Sequence, residues 1–496
     1  MLNNNALAKF MMGEEQENGQ PKKSSTLGSD ETSIPAEVNH YEHNTNDYED
    51  FKLLCEQIHK HFQEFELKAS DDVLSDSITR LEDALLGKPE AVSYYYSQIR
   101  SYLKSENKSH IEFPPWYDDL VEAVFHEVWG FAGIWEWIKH GESSSCKIIQ
   151  PRIYFMENGK TVLKPQTISA ERFKTLKRRL LINDKSQKEN TEYQEIYMVD
   201  GTRIEIYNNH KKSSGEGVIV FRRYTLEEYS FEKLADLKTI DQESIPLLEA
   251  MVSCGFNTVI LGPVRSGKTG FLATYQMYED PELEGVLIET DPEIPLHKMM
   301  PNAPIMQLIA DDEKLENLVK PLVRSDADYL LQGEARDGRA LRLMLMLTKK
   351  GTRRTKGTFH TSKPYNFCYD AAQEIVNIHG GSIWAYMIQF AENFNFLFEM
   401  SSDSRDARIK RLIGIHELQF DPDTLEIRTN TICHFDRVSE KWTYNANLSE
   451  KTRDDGVRVS IDNFNKFEKE LIRLAELYPM EVNPIKVSPF SKLIGK

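Results

Sequence analysis

A glycine-rich segment in the second half of the chain carries the residue types best suited to hold phosphate groups. Its fixed positions follow the G-x-x-x-x-G-K-[ST] spacing and are Gly262, Gly267, Lys268 and Thr269. The apolar run at 258–261 predicts a buried strand before the loop, and residues 268–277 predict a helix after it. In such an arrangement, backbone N–H groups and the positive end of the helix dipole point toward a bound anion. The segment therefore predicts a binding site for a nucleoside triphosphate.

Two side chains of this loop would contact the nucleotide and its metal ion directly. Lys268 would reach the β- and γ-phosphates, and the Thr269 hydroxyl would bind Mg²⁺, whose other ligands would be phosphate and water oxygens. ATP and Mg²⁺ are accordingly the predicted cofactors. The residues predicted to bind the nucleotide are Gly262, Pro263, Val264, Arg265, Ser266, Gly267, Lys268, Thr269 and Gly270.

Two further segments place carboxylates where predicted strands end. Residues 286–293 carry Glu289 directly after an apolar run, and residues 328–337 repeat this design with Glu334. The carboxyl ends of parallel strands meet at the edge of the sheet that binds ligands. Because hydrolysis requires groups that position water and metal, we predict that Glu289 and Glu334 handle metal, water or a proton, with Glu334 as a second candidate ligand of Mg²⁺. His360 follows a third predicted strand. By spacing alone, a functional histidine and a structural histidine are equally consistent with this position.

These motifs lie in a chain whose length and pattern predict several domains. Its 496 residues suffice for two or three domains, each with its own core. We predict an α/β fold in which a P-loop (RecA-like) ATPase domain follows an α+β N-terminal domain, because strands and helices alternate in the later part. The predicted parts are a disordered acidic and polar tail at 1–48, a helical region at 49–110, the α+β domain at 111–224, a linker at 225–245, the ATPase domain at 246–450 and a helical tail at 451–496.

Composition narrows the classes of function. The net charge of −17 argues against nucleic acid as a direct ligand. The basic segment 349–356 could still contact an acidic partner, or it could be a solvated loop or a subunit contact. Apolar runs stay below the roughly 18 residues that a bilayer requires, and residues 1–19 lack the layout of a signal peptide, so we expect a cytoplasmic protein. The five cysteines are scattered without a C-x-x-C pair, which does not favour disulfides or a zinc ribbon.

The order of the motifs resembles that of a known superfamily. A phosphate loop, an acidic box at 288–293, a Gly-Glu-Ala-Arg strand and the Thr-Phe-His-Thr segment at 358–361 are similar to the secretion-superfamily hexameric ATPases of type II secretion, type IV pili and type IV secretion. The segments 200–203 and 220–224 look like the D-G-S-R and I-R-R-F segments of the tight-adherence pilus branch. The resemblance covers about two thirds of the chain, over residues 116–435.

The resemblance implies a role for each site residue. Glu289 stands at the catalytic glutamate of the family's aspartate box, Glu334 at the glutamate of its second motif, and His360 at the histidine that senses the γ-phosphate. Gln389 matches a glutamine-containing segment of the family. The resemblance also implies catalytic arginines supplied across a domain or subunit boundary, although the residues alone would favour ordinary surface ion pairs. The candidates are Arg203, Arg222 and Arg223.

The chain departs from the family's pattern in its loop and its acidic box. Val264 and Arg265 occupy the loop interior, where Thr-Gly is usual, and Gly270 stands where a second hydroxyl is common. Thr290 stands where an aspartate is usual, and Asp291 comes one place later. These departures predict an unusual nucleotide affinity and a slow enzyme, and they leave the metal-handling role within the acidic box open.

Together these implications describe an Mg²⁺-dependent ATPase that assembles as a homo-hexamer. It would act at the cytoplasmic face of the membrane on an inner-membrane platform protein of a secretion or pilus machine, with the α+β domain rocking about the linker at 225–239. Two alternatives stay open. A DNA-conjugation-type ATPase would need a basic channel, which the acidic composition does not favour. A nucleotide-gated scaffold with weak hydrolysis is consistent with the altered loop and acidic box.

Overall fold

The structure is a computed structural model that divides the chain into two compact units, Met1–Thr225 and Leu226–Lys496. The residues that it describes are 48–67, 79–81, 83–84, 88–141, 143–182, 192–198, 202–208, 217–223, 228–290, 292–310, 312–361 and 363–494. The predicted tail at 1–48 therefore lies outside the described residues, except for Tyr48. Motif residues that also lie outside them are Asp200, Gly201, Tyr224 and Asp291.

Helices of the first unit form where apolar residues recur at helical spacing. Those described are α1 (Glu49–Leu67), α2 (Pro89–Ser105), α3 (Leu120–Val128), α4 (Trp135–Lys139) and α5 (Ala170–Ile182). Ile58 of α1, Ile99 of α2 and Phe125 of α3 are buried in one apolar cluster. The side chain of Asp119 starts α3 by accepting the backbone N–H of Glu122 at 2.8 Å. The first three helices thus pack as a small helical layer.

An antiparallel sheet follows these helices in the first unit. Its described strands are β1 (Ser145–Ile149), β2 (Arg152–Glu157), β3 (Lys160–Thr167), β4 (Tyr193–Tyr197), β5 (Arg203–Tyr207) and β6 (Val218–Arg222). They are ordered β3-β2-β1-β6-β5-β4. Ile148, Ile153 and Phe173 of α5 are buried in one cluster, so one face of the sheet packs on α5. Asn158 and Gly159, with φ angles of 51° and 75°, form the turn between β2 and β3.

The second unit alternates strands and helices before it ends in long antiparallel strands and two helices. Its described strands are β7 (Thr258–Leu261), β8 (Gly285–Glu289), β9 (Ile305–Ile309), β10 (Tyr329–Gln332), β11 (Lys356–Phe359), β12 (Phe396–Ser402), β13 (Lys410–Asp421), β14 (Glu426–Asp436), β15 (Lys441–Tyr444) and β16 (Ile485–Val487). Its described helices are α6 (Phe231–Asp236), α7 (Ile245–Ser253), α8 (Lys268–Met277), α9 (Leu296–Met299), α10 (Asp312–Leu322), α11 (Gly338–Lys349), α12 (Phe367–His379), α13 (Ile383–Asn393), α14 (Glu450–Val459) and α15 (Ile461–Leu477).

The sheet of the second unit has a parallel centre extended by antiparallel strands. Its order is β15-β14-β13-β12-β7-β11-β10-β8-β9, and β16 pairs with β14. The strands from β12 to β9 in this order run parallel, whereas β13 to β16 pair antiparallel. Every residue of β7, β8, β10 and β11 is buried, as expected where helices cover both faces. This arrangement confirms the predicted α/β fold with its P-loop domain.

The C-terminal helix α15 completes the core of the second unit. Its residues Phe464, Phe467 and Leu471 are buried, and the Phe467 ring packs edge-on against Phe256, with ring centroids 5.4 Å apart. The apolar side of this helix, which lies in the predicted helical tail at 451–496, therefore contributes to the unit's own core. Among the helices of the described residues, none combines the length and apolar character needed to cross a bilayer.

Candidate nucleotide-binding site

The phosphate loop between β7 and α8 has the backbone that its glycines allow. Gly262 and Gly267 have φ angles of 146° and 89°, a region that other residues rarely adopt. A Cβ atom at Gly262 would lie 2.3 Å from the carbonyl oxygen of Met400, so a larger residue would displace the backbone there. Arg265 also has a positive φ, of 64°. The positive φ explains why glycine is usual at this position in the family that the motifs resemble. For a residue with a side chain, such as Arg265, this backbone conformation costs about 1 kcal/mol.

Lys268 lies inside this loop and is 7% exposed. Its ammonium donates a hydrogen bond to the Pro263 carbonyl at 2.9 Å and lies 3.2 Å from Nδ1 of His360. Burial lowers the pKa of Lys268 to about 8, although the carboxylates of Glu334 and Glu293 act in the opposite direction. A partly desolvated ammonium of this kind gains from a nearby anion, so the loop is built to receive negative charge.

Ser266 provides a second sign that the loop suits an anion. Its side chain is fully buried, and among the described residues its Oγ has no hydrogen-bond partner. A buried hydroxyl without a partner costs free energy, about 1–3 kcal/mol. A phosphate oxygen would accept this hydroxyl proton, so the residues present fit the predicted triphosphate.

The hydroxyl of Thr269 is paired with an acidic side chain that we did not single out from the sequence. Thr269 Oγ1 donates to Glu293 Oε2 at 3.3 Å. Mg²⁺ is typically held by one or two protein oxygens together with phosphate and water oxygens, and this pair fits that requirement. In the described part of the chain, His, Cys, Asp and Glu form no group of three that could hold a metal by themselves. Glu293 thus joins Thr269 as a candidate metal ligand.

Glu289, which we predicted to handle metal, water or a proton, has a different environment from Glu293. It is 3% exposed, and its Oε1 accepts the backbone N–H groups of Glu293 and Ile294 at 3.0 and 2.9 Å. These bonds fold the segment after β8 and thereby present Glu293 toward Thr269. In the sequence, Thr290 at the place of the usual aspartate, with Asp291 one place later, had left the metal-handling role within the acidic box open.

Glu334 and His360 meet Lys268 in one chain of polar contacts. Glu334 Oε1 lies 2.7 Å from His360 Nε2, and its Oε2 accepts Arg336 Nε at 2.7 Å. Burial opposes ionisation of Glu334, but the hydrogen bonds from His360 and Arg336 outweigh it and lower its pKa to about 2. Because the ammonium of Lys268 only donates, His360 accepts at Nδ1 and carries its proton on Nε2. The three predicted residues are thus brought together where β7, β10 and β11 end.

Lys410 is a further cation beside the loop, and sequence reasoning missed it. A Cβ atom at Gly267 would lie 3.0 Å from the Lys410 Cβ, so the two backbones are close. Lys410 Nζ donates to Ser402 Oγ at 3.0 Å, and this hydroxyl donates to the Arg265 carbonyl at 3.2 Å. Burial, with a smaller contribution from the positive charge of Arg265, lowers the pKa of Lys410. The antiparallel pairing of β13 with β12, which places Lys410 opposite Ser402, brings this residue to the loop.

The predicted catalytic arginines belong to the first unit and have partners within it. Arg203 Nε lies 2.6 Å from Glu195 Oε1, and Arg222 Nη1 lies 3.7 Å from Glu205 Oε1 with 44% of its side chain exposed. Arg223 donates from Nε to the Ser143 carbonyl and from Nη1 to the Ile138 carbonyl, both at 3.0 Å, and its guanidinium lies on the Trp137 ring. A role in catalysis stays a prediction for all three arginines.

Part of the basic segment at 349–356 is internal. Lys356 is 1% exposed, and its ammonium donates to Glu279 Oε2 at 2.6 Å and to Gln276 Oε1 at 3.0 Å. Arg354 donates to the other oxygen of Glu279 at 2.5 Å. These bonds join the end of α8 to the start of β11, so they position the two elements that carry Lys268 and His360.

Comparison with known proteins gives matches at the level of structure. No protein-family model matches the sequence, and no curated protein matches it. The VirB11 ATPase of the Brucella suis type IV secretion system, solved with sulphate, is 14% identical, with 57% of this chain and 91% of that chain covered and a TM-score of 0.32.

Two other solved structures are similar to a comparable degree. The pilus retraction motor PilT with bound ADP is 18% identical, with 54% of this chain and 78% of that chain covered and a TM-score of 0.40. The Legionella pneumophila ATPase DotB is 16% identical, with 69% of this chain and 87% of that chain covered and a TM-score of 0.42. At these values the similarities carry no conclusion about activity, and the fold is established by the strand order and the phosphate loop. These three similar structures are thus an ATPase of a type IV secretion system, a pilus retraction motor and a further ATPase.

Proposed function

We propose that this protein hydrolyses ATP with Mg²⁺ and uses the energy to drive a secretion or pilus machine. One observation carries the proposal: Lys268, His360 and Glu334 contact one another beside a phosphate loop whose Ser266 hydroxyl has no hydrogen-bond partner among the described residues. Cations and backbone N–H groups at this loop would bind the phosphates, and carboxylates at the ends of neighbouring strands would act on water. The net reaction converts ATP and water to ADP, phosphate and a proton.

Each residue of the site would contribute by positioning or charge. Lys268 would move from the Pro263 carbonyl to the phosphates, where negative charge stabilises its protonated form. Mg²⁺, held by Thr269 and Glu293, would neutralise phosphate charge when bound. His360, with its Nε2 proton directed to Glu334, would accept a hydrogen bond from the Lys268 ammonium at Nδ1 and so orient that ammonium beside the phosphates.

The carboxylates differ in what they can do with a proton. With a pKa of about 2, Glu334 is ionised at neutral pH and is a poor base, so it would orient His360 and water. Oε1 of Glu289 is engaged by two backbone N–H groups. Glu293, next to Thr269, is therefore our candidate for the carboxylate of the acidic box on which turnover depends, through the Mg²⁺ site that it would form with Thr269.

We infer the assembly from the motif resemblance. It supports a homo-hexamer of the tight-adherence type that works in the cytoplasm on an inner-membrane platform protein. The segments 202–203 and 220–223, which belong to that resemblance, lie on or beside the paired strands β5 and β6. Their neighbouring positions would let one surface of the first unit supply an arginine to a nucleotide site.

Turnover measured with and without DNA tests the proposal against its two alternatives. We expect the purified full-length protein to hydrolyse ATP only when Mg²⁺ is added, to form hexamers by native mass spectrometry, and to show no stimulation by DNA. Stimulation by DNA would favour the conjugation-type motor. Tight ATP binding with negligible turnover would favour the nucleotide-gated scaffold and would contradict the motor.

Arg222 and Arg223 allow a matched test of an arginine supplied by a neighbouring subunit. Arg222→Ala is expected to leave the melting temperature nearly unchanged, because its side chain is 44% exposed. We expect it to be inactive alone, and to regain part of its activity in rings mixed with a Lys268→Ala chain, because some interfaces then combine an intact loop with an intact arginine.

Arg223→Ala is the control for a structural arginine. It removes hydrogen bonds to the Ser143 and Ile138 carbonyls, so the free energy of unfolding should fall by about 2 kcal/mol or more. If rings shown by mass spectrometry to contain both chains recover no activity with Arg222→Ala, this arginine does not act between subunits.

A further inference from the structure

A cavity of about 330 Å³ lies between α11 and α13, and its lining has no role in the proposed function. Its polar lining residues are Arg342, Lys349, Ser382, Tyr386 and Gln389. Small-molecule sites usually occupy about 300–1,000 Å³ and combine apolar surface with a few convergent polar groups. The cavity has the size of a site for a small molecule, with Met346 and Ala385 among its less polar lining residues.

The charge of the lining selects an anion. Arg342 and Lys349 are seven residues apart on α11 and thus about 10 Å apart along its axis. Among the described residues that line the cavity, none is acidic, although the whole chain carries a net charge of −17. Arg342 contacts Nδ1 of His379 at 3.5 Å with one nitrogen of its guanidinium. The planar guanidinium can bind two oxygens of a phosphate or carboxylate at once.

Ser382 supplies an independent sign of a missing ligand. It occupies the N-cap position of α13, where a serine hydroxyl ordinarily accepts a backbone N–H from the first helical turn, but its side chain makes no such bond. Among the described residues, its buried Oγ has no hydrogen-bond partner. Ser382, which lines the cavity, therefore has a hydroxyl that no described residue satisfies.

We propose that this cavity binds a small organic phosphate of about the size of a nucleoside monophosphate. Arg342, Lys349 and Ser382 bind the phosphate group, and the organic part packs on the Tyr386 ring with the Gln389 amide as a polar contact. Tyr386 favours a flat ring over an aliphatic chain, because aromatic rings stack on one another. The site is separate from the phosphate loop and does not depend on ATP hydrolysis.

Adenosine monophosphate is a suitable probe, with inorganic phosphate as its comparison. Isothermal titration of the full-length Lys268→Ala chain, in which the phosphate loop lacks its ammonium, should show saturable binding of the nucleotide and weaker binding of inorganic phosphate. Arg342→Gln/Lys349→Gln in the same background should weaken nucleotide binding about tenfold or more, because both charge-assisted contacts are lost. The matched control is Lys320→Gln/Arg324→Gln, which removes two exposed cations outside the cavity and should bind like its parent.

A second variant tests the cavity without changing its charge. Ala385→Leu adds volume to the lining and should prevent binding while both cations stay in place. Thermal unfolding shows whether each variant is folded. Equal nucleotide affinity in the parent and the folded Arg342→Gln/Lys349→Gln chain would overturn the proposal. So would binding of adenosine monophosphate no tighter than that of inorganic phosphate, since the organic part would then have no site.

Discussion

Replacing Lys268 by alanine is expected to abolish ATP hydrolysis. Lys268 is the cation inside the phosphate loop, bonded to the Pro263 carbonyl and 3.2 Å from His360. Without it, the phosphates lose a charge-assisted contact and His360 loses the donor that orients Nδ1. We expect steady-state turnover to fall by more than about a thousandfold, to the level of the background, as measured by phosphate release from a preparation free of other ATPases.

The same substitution should not unfold the protein. The pKa of Lys268 is about 8 in the folded chain, below its ordinary value of 10.5. Between these two values Lys268 binds fewer protons in the folded protein than in the unfolded chain, so its contribution to stability rises as pH increases from 8 to 10.5 and is lowest below 8. At neutral pH the buried ammonium therefore costs stability, and Lys268→Ala should melt near the parent's temperature. Normal ATP turnover in folded Lys268→Ala would contradict the proposal that this phosphate loop is the site of ATP hydrolysis.

The two acids of the acidic box should respond very differently to loss of their charge. Glu293→Gln is expected to reduce turnover by about a hundredfold to a thousandfold, because its carboxylate is the one next to Thr269 and the predicted metal. Glu289→Gln is its matched control. A glutamine oxygen at that position can still accept the N–H groups of Glu293 and Ile294, so we expect a change of less than about tenfold.

Binding measurements separate chemistry from nucleotide affinity in this pair. Both variants should still bind a non-hydrolysable ATP analogue, since Lys268 and the loop are intact. The reverse order of effects, with Glu289→Gln inactive and Glu293→Gln active, would return the catalytic role to Glu289, as the motif resemblance implies. A loss of analogue binding in Glu293→Gln would show that this residue acts on affinity and not on turnover.

The sequence by itself determined the phosphate loop and the α/β class of the second unit. Both depend on local features that need no distant contact. Gly262 and Gly267 allow the backbone of the loop, and short apolar runs such as 258–261 are typical of strands in a sheet covered on both faces. The sequence also predicted that acids at strand ends would lie near the loop, because parallel strands end at one edge.

The tertiary structure alone decided which acids and cations reach the site, because their positions depend on strand order and on the path of the loops. The order β7, β11, β10 places His360 between Lys268 and Glu334, and the pairing of β12 with β13 brings in Lys410. The fold of the segment after β8, fixed by two backbone N–H groups on Glu289, turns Glu293 toward Thr269. Residue spacing determines which side chains lie on one helix or strand. Contacts between residues distant in sequence depend instead on how all the helices and strands pack, and no single segment of the sequence determines that packing.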